Sequence, residues 1–205
     1  MLLSFCNSMF GMVYIGLMPA FARDVLEVGA ERISWLLGAA GVGAIIGTLV
    51  IGMMKDKHPL GLAILAGAVF YGLGLIAFAF TSSQKLYLGS MAILVFVGIA
   101  HSLYITGGIA AIQSLVPDQL RGRIMGLYGV TWSLGPLSLA FGAPVAEAIN
   151  DSPPWAVAIG AMVIVVVAIL VYLSSPQMRA LPVRSSEAAR QRYQVQSQQV
   201  TEVRG

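Results

Sequence analysis

Charged residues are scarce in this sequence. Asp, Glu, Lys and Arg make up 10% of its 205 residues, whereas 58% are hydrophobic. A soluble domain carries roughly 25% charged residues. The charges that are present lie in short segments and in a C-terminal tail, and long apolar stretches separate them. This distribution excludes an ordinary soluble fold and is typical of a polytopic membrane protein.

Cysteine is also nearly absent, and the motifs of enzyme sites are missing. The single Cys6 excludes an internal disulfide, and we interpret it as a small apolar packing residue. The sequence has no paired-histidine metal motif, no phosphate-cradling loop and no serine-centred elbow. It therefore predicts no enzyme, no metal, no cofactor and no nucleic-acid partner. Without a nucleotide-binding loop, ATP cannot be the direct energy source of this chain.

Six apolar segments are long enough to cross about 30 Å of hydrocarbon at 1.5 Å per helical residue. The sequence therefore predicts an all-α membrane domain over residues 1–175. The fourth segment is too long for a perpendicular span, so we expect it to tilt. The predicted spans are Leu2–Ala22, Ile33–Met54, Leu60–Phe80, Leu86–Leu115, Ile124–Ile149 and Trp155–Leu173.

The distribution of positive charge predicts the orientation of these spans. Six spans place both termini on one side of the membrane. Nine Lys and Arg residues lie on that side, in the second loop (Lys55–Pro59), the fourth loop (Val116–Arg123) and the tail. Three lie on the other side. The positive-inside rule therefore predicts that both termini are cytoplasmic, in the cell (inner) membrane.

The two ends of the sequence differ in character. The first apolar segment has no basic region before it and no cleavage site after it, so we interpret it as a spanning helix rather than a signal peptide. Because the chain begins inside this helix, we expect further protein to precede it. Residues 176–205 are rich in Gln, Arg and Ser and are expected to form a disordered cytoplasmic tail.

Glycine is abundant in the predicted spans. The second span includes the pair Gly43 and Gly47, which have the small-xxx-small spacing. Lipid gives helices no hydrophobic reason to associate, so close backbone approach through small residues has to supply the packing. We therefore expect these glycines to be helix-packing sites. The two groups of three spans are also arranged as a possible 3+3 inverted repeat.

A few polar and aromatic residues at membrane depth are candidates for a transport pathway. His101 is the strongest, because an ionisable residue inside a span is costly and histidine titrates near neutrality. Tyr104 follows on the same helical face. Asn7 and Tyr14 share a face of the first span and could line a cavity. A neutral His101 that is bonded to a neighbouring helix remains the structural alternative.

The fifth predicted span contains two further features. Tyr128 and Trp132 stand four residues apart, and we expect Tyr128 to be an interfacial belt residue, whereas Trp132 could be a belt residue or a cavity wall. Gly135 and Pro136 lie in the middle of the span. Because proline lacks a backbone N–H, we expect a kink there.

Three stretches resemble one known family. They are LMPAFARDVLEVGAERISWLLGAAGVGAIIGTLVIG from Leu17, VPDQLRGRIMGLYG from Val116 and GPLSLAFGAPVAEAI from Gly135. In these stretches the chain resembles the C-terminal half, helices seven to twelve, of a major facilitator superfamily transporter. It is most similar to the exporter branch that contains enterobactin and macrolide efflux proteins.

The resemblance also suggests residues that control gating. Gly52, Asp56 and Lys57 match the first key positions of the family's loop signature, while Pro59 to Gly61 depart from it. By resemblance, Asp56 and Lys57 would belong to a charge latch, although a solvated loop ion pair is an equal alternative. Arg121 and Arg123 would meet the corresponding loop of an N-terminal half, or they could serve only to set the topology.

The resemblance implies a function. We expect a secondary transporter that exports a small amphipathic molecule, such as a drug or siderophore, by proton-coupled alternating access. The expected partners are the lipid bilayer, the substrate, protons, and an N-terminal six-helix half or a second copy. The rival hypothesis is a truncated, non-transporting fragment with a structural or regulatory role in the membrane.

Overall fold

The computed structural model describes residues 2–53, 60–116, 118–149 and 152–174, and every element in these ranges is helical. Two segments have π-helical rather than α-helical hydrogen bonding: Asn7–Gly11 and Phe21–Val25. The α-helices are α1 (Leu2–Cys6), α2 (Val13–Ala20), α3 (Ala30–Met53), α4 (Leu60–Ser83), α5 (Tyr87–Leu115), α6 (Asp118–Ser133), α7 (Leu137–Ala148) and α8 (Pro153–Ser174).

These helices account for the predicted membrane spans. Helices α3, α4, α5 and α8 have 24, 24, 29 and 22 residues, which at about 1.5 Å per residue is enough to cross a bilayer. The run Leu3–Val25 makes a fifth span, and the bent pair α6–α7 makes a sixth when it is counted as one. The prediction of a six-span, all-α membrane protein is confirmed.

Helix boundaries differ from the predicted ones at the charged ends. Helix α6 begins at Asp118, so Arg121 and Arg123 lie in its first two turns and not in a loop that ends at Arg123. The prediction of a loop over Val116–Arg123 is wrong because hydropathy locates where a span becomes apolar, whereas a helix continues through its polar end. The predicted tail and the loop residues Asp56 and Lys57 lie outside the described residues.

Helix α5 lies between α3 and α4, and α4 packs in turn against α8. Glycines set the closest approach of α3 to α5. A Cβ atom on Gly43 would lie 2.0 Å from the carbonyl oxygen of Val95, and one on Gly98 would lie 2.0 Å from that of Ala40. The prediction that Gly43 and Gly47 are helix-packing sites is confirmed. The prediction is wrong within this bundle for three other glycines of α3, which have no described atom within 4 Å of a Cβ: Gly38, Gly41 and Gly52.

The chain alternates between two sides of the bundle. We call the side where α1, α4 and α6 begin the terminal side, and the opposite side the far side. On the far side, two connecting loops meet through Lys85 Nζ and Glu27 Oε1, which are 2.6 Å apart. Both residues have positive φ angles, 55° and 51°. The Tyr87 hydroxyl also donates a hydrogen bond of 3.1 Å to the Arg32 carbonyl.

Candidate functional site

A π-helical segment carries Asn7 into the interior of the bundle. The Met12 N–H donates to the Asn7 carbonyl, five residues back, at 3.1 Å, which closes the wider turn. Asn7 is only 3% exposed. Segments of this kind hold one extra residue in a turn and are frequent at functional sites. Because of this extra residue, Asn7 and Tyr14 do not lie on one face of a regular α-helix.

The side chain of Asn7 reaches across to His101 on α5. Asn7 Nδ2 lies 3.5 Å from His101 Nε2, a long hydrogen bond between residues 94 positions apart. Asn7 Oδ1 is buried and has no hydrogen-bond partner in the described part of the chain. A buried polar atom without a partner costs free energy, on the order of 1–3 kcal/mol, and therefore requires an explanation.

Tyr71 on α4 contacts both His101 and the π-helical segment that carries Asn7. Its ring stacks on the His101 imidazole, with centroids 4.7 Å apart and planes inclined by 29°. Its hydroxyl donates a 2.7 Å hydrogen bond to the Gly11 carbonyl at the end of the π-helical segment. Tyr71 is 1% exposed, so water does not compete for this bond. We call Asn7, Tyr71 and His101 the polar cluster.

Gly11 makes this arrangement sterically possible. A Cβ atom at this position would lie 2.5 Å from Asn7 Oδ1 and 3.0 Å from both the Tyr71 ring and Ile164 Cδ1. A larger residue would displace the amide of Asn7 or push α4 away. This role could not be predicted from the sequence, because an isolated glycine in an apolar span is common.

The elements that supply the polar cluster carry no fixed charge in the sequence. Residues 2–20, 60–83 and 87–115 contain no Asp, Glu, Lys or Arg. Hydrogen bonds are stronger in such a low-dielectric setting, and a protonated imidazole would be costly without an acceptor. His101 as a whole residue is partly exposed. The cluster can therefore hold a neutral imidazole and offers an amide oxygen to a charged one.

Tyr104 lies one turn further along α5 and contacts the same first span. It is buried, and its hydroxyl donates to Ser4 Oγ at 3.4 Å. Ser4, like Tyr71, was not among the predicted candidates. A hydroxyl on an apolar span is too frequent to be informative until its partner on another helix is known.

Of the aromatic candidates, Tyr14 lies in the same buried apolar cluster as Tyr71, whereas Trp132 lies near the end of α6. Tyr14 is buried in the core, where its ring meets Phe78 edge-on at 6.5 Å between centroids. Trp132 is partly exposed near the end of α6. The expectation for Tyr128 is wrong, because at 5% exposure it is too enclosed for an aromatic in a lipid-facing belt.

The fifth span is broken where Gly135 and Pro136 stand. Helix α6 ends at Ser133, α7 begins at Leu137, and their axes differ by 44°. A Cβ atom on Gly135 would lie 3.1 Å from Met12 Sδ. Met12 follows the π-helical segment, so the irregular points of the first and fifth spans lie side by side. Beyond them, α2 packs against α7, and before them α1 packs against α6.

The gating candidates that the structure describes, Arg121 and Arg123, lie on the terminal side. Arg121 Nη2 donates to the Gln113 carbonyl at 3.1 Å, which links the start of α6 to the last turns of α5. Arg123 is exposed. In the described ranges no group of three or more His, Cys, Asp or Glu residues is placed to hold a metal ion.

Comparisons with known proteins agree with the helical architecture. The Major Facilitator Superfamily profile matches residues 1–202. The chain belongs to the major facilitator superfamily. Members of this superfamily are membrane transporters and not enzymes, so the chain is a multi-pass membrane protein of a family that moves small molecules.

Each match covers only part of the relative's own length. The multidrug efflux pump Tap of Mycolicibacterium fortuitum is 29% identical over 138 residues, or 64% of this chain and 31% of the relative. The uncharacterized MFS-type transporter YwfA of Bacillus subtilis (strain 168) is 27% identical over 68% of this chain and 31% of its own length.

The arabinose-proton symporter of Escherichia coli (strain K12) is 25% identical over 86% of this chain and 37% of the relative. The chain thus spans about a third of the length of the curated relatives that it matches. No solved structure gave a significant match.

Proposed function

We propose that this chain is one six-helix half of a secondary active transporter that exports a small amphipathic molecule, such as a drug or a siderophore, in exchange for protons. Two relatives support the two parts of this proposal. One is named a multidrug efflux pump and another an arabinose-proton symporter. Export and proton coupling are each a property of one relative, and we propose that this chain combines them.

The polar cluster is the observation that carries the proposal. It places a titratable imidazole in a helix without fixed charge, against a buried aromatic ring and a buried amide. Ionisable side chains at membrane depth are costly and mark ion or proton pathways. His101 is therefore the proposed proton carrier, with Asn7 and Tyr104 beside it on the pathway. Tyr14 and Trp132 remain proposed pathway residues.

The broken spans supply a movable element for alternating access. Helices α2 and α7 interlock beyond the break, and both are joined to the rest of the bundle through Met12 and the segment 134–136. We propose that these two helices move as one arm when the far side opens. In secondary transporters generally, one repeat or bundle moves against another around a midplane site, and the proposed arm would open the far side as part of that motion.

A second half completes the proposed transporter. The curated relatives are about three times as long as the matched part. Helix α3 presents an apolar face with little cover from the described residues, including Ile45, Leu49 and Met53. An N-terminal six-helix half, or a second copy of this chain, would cover part of this face. Arg121, Arg123, Asp56 and Lys57 are the proposed contacts between the gating loops of the two halves.

Transport into everted inner-membrane vesicles tests the proposal. The chain would be produced alone and together with a complementary six-span half, and ethidium would serve as a fluorescent amphipathic probe. We expect accumulation of ethidium that depends on respiration and is abolished by a protonophore. His101→Gln should remove the dependence on the proton gradient. Absence of accumulation in both arrangements, across a panel of drugs and siderophores, would instead favour the non-transporting fragment.

A further inference from the structure

The hydrogen bond between Asn7 and His101 determines which nitrogen of the neutral imidazole carries the proton. An amide nitrogen donates and cannot accept, so contact of Asn7 Nδ2 with His101 Nε2 requires a lone pair on Nε2. The neutral ring must then carry its proton on Nδ1. Free histidine prefers the other tautomer, with the proton on Nε2, so the protein environment selects the less common form.

Protonation of His101 reverses the requirement at this contact. The added proton takes the lone pair of Nε2 and forms a new N–H, so both ring nitrogens become donors. The Asn7 amide then has to present its oxygen. That oxygen has no hydrogen-bond partner in the described residues, so a half-turn of the amide breaks only the 3.5 Å contact that it replaces.

The space needed for this half-turn is provided by Gly11. Asn7 Oδ1 points to the place where a Cβ atom on Gly11 would lie, only 2.5 Å away. Because glycine has no Cβ, either end of the amide can occupy that corner. Tyr71 holds the ring plane by stacking and holds the π-helical segment through the Gly11 carbonyl, so the imidazole and the amide stay opposed during the exchange.

The other titratable groups near His101 do not compete for this role. Tyr71 on α4 offers its ring face to the imidazole and its hydroxyl to Gly11. Tyr104 donates to Ser4, and the Cys6 thiol is buried on α1. Tyr14 lies in the same buried cluster as Tyr71. Helices α4, α5 and α8 and the segment from α1 to α2 contain no Asp, Glu, Lys or Arg over residues 2–20, 60–83, 87–115 and 153–174. Helices α3 and α6 also pack against α5, and their charged residues lie in their first two turns, at the ends of the spans: Glu31, Arg32, Asp118, Arg121 and Arg123.

We propose that Asn7 is a positioning residue for proton carriage by His101. It holds the neutral ring as the Nδ1–H tautomer and turns its amide to accept a hydrogen bond from Nε2–H when the ring is protonated. The proton enters and leaves at Nε2, and the amide itself neither gains nor loses a proton. This inference rests on the proposed function for its role in transport, but the tautomer can be measured without transport.

Nitrogen NMR of the purified chain in lipid nanodiscs tests the tautomer. The sequence contains two histidines, so the His58→Gln variant labelled with ¹⁵N-histidine gives signals from His101 alone. At a pH where the ring is neutral, we expect a protonated Nδ1 and an unprotonated Nε2. A neutral ring with its proton on Nε2 would overturn the inference, and this result needs no substitution in the polar cluster.

Variants of Asn7 test the cause of the selection. Asn7→Asp offers only acceptors and should move the proton of the neutral ring to Nε2, as should Asn7→Leu, which offers no partner. Ser4→Ala is the matched control, because it removes a contact between the same two spans and leaves Asn7 unchanged. It should retain the Nδ1–H tautomer. A tautomer that is unchanged in Asn7→Asp would overturn the role of Asn7.

Infrared spectroscopy tests the half-turn of the amide. The sequence contains two asparagines, so an Asn150→Gln variant with ¹³C-labelled asparagine reports the Asn7 carbonyl alone. Its stretching frequency should fall when His101 is protonated and stay constant in His101→Gln. A frequency that is independent of His101 would overturn the half-turn. If the tautomer is as expected but no substrate is transported, the proposed function fails and the assignment of Asn7 to His101 stands.

Discussion

Leu139 on α7 fills a notch at Gly16 on α2, where a Cβ atom would lie 2.5 Å from Leu139 Cγ. The reverse contact stands beside it, because Val13 Cγ1 lies 2.5 Å from where a Cβ of Gly142 would be. Each helix thus receives a branched side chain of the other. The two helices are interlocked on one side of the breaks at Met12 and Gly135.

This interlock predicts that α2 and α7 can be joined covalently without loss of transport. In a Cys6→Ser background, the pair Gly16→Cys and Leu139→Cys should form a disulfide, because the Leu139 substitution empties the notch. Since we propose that both helices move together, proton-driven efflux should be the same before and after oxidation. Each single substitution treated with oxidant is the control. Loss of efflux that is restored by reduction would contradict the proposed arm.

The seam between α3 and α5 predicts a strong position dependence of stability. In Gly43→Leu the new Cβ would lie only 2.0 Å from the Val95 carbonyl oxygen. This overlap should lower the free energy of unfolding by about 1–3 kcal/mol or more. Gly41→Leu on the same helix is the control, because that glycine has nothing within 4 Å. Thermal unfolding in detergent compares the two. Equal unfolding temperatures would contradict the seam.

The buried hydroxyl of Tyr71 should contribute more to stability than the exposed hydroxyl of Tyr87. Tyr71→Phe leaves the buried Gly11 carbonyl without its donor, and we expect a loss of about 1–3 kcal/mol. Tyr87→Phe removes a similar bond to the Arg32 carbonyl, but that bond is exposed and water can replace it. Its effect should be within about 0.5 kcal/mol. If both variants unfold at one temperature, the buried bond is not formed.

The ion pair between Glu27 and Lys85 should be weak despite its short distance. Both side chains are more than half exposed, at 64% and 59%, and exposed pairs contribute roughly 0–1 kcal/mol. A double-mutant cycle with Glu27→Gln and Lys85→Gln should give a coupling energy below about 1 kcal/mol that shrinks as salt is added. A larger coupling that does not depend on salt would mean that the two loops form a latch that excludes water.

Two exposed glycines test the proposed orientation. Gly122 at the start of α6 and Gly29 before α3 both have open space around them and lie on opposite sides of the bundle. In a Cys6→Ser background, a membrane-impermeant maleimide should label Gly29→Cys in intact cells. Gly122→Cys should be labelled only after the membrane is permeabilised. The opposite pattern would reverse the topology that the positive charges predict.

The membrane spans could be predicted from the sequence because they depend on local composition. Long apolar runs identified all six, and Pro136 identified the position of the break because proline lacks a donor wherever it stands. The ends of the helices were less accessible. Helix α6 begins six residues before the first residue of its predicted span, since Arg121 and Arg123 are compatible with a helix at a membrane surface.

The partners within the polar cluster could not be predicted, because they depend on contacts between distant residues. Asn7 and His101 were each noticed as polar residues at membrane depth, but their contact joins positions 94 apart. Tyr71 was missed because a tyrosine in an apolar span is unremarkable until its ring is seen against an imidazole. The π-helical segment is held by Tyr71 on another helix, so its own sequence does not specify it.

The release of protons on substrate binding tests the role of His101 most directly. The purified transporter, with its second half present, would be mixed with ethidium in weakly buffered solution that contains a pH-sensitive dye. We expect ethidium to release protons from the native chain and to release none from His101→Gln. Equal release from both, with ethidium bound by both, would contradict the account of His101 as the coupling residue.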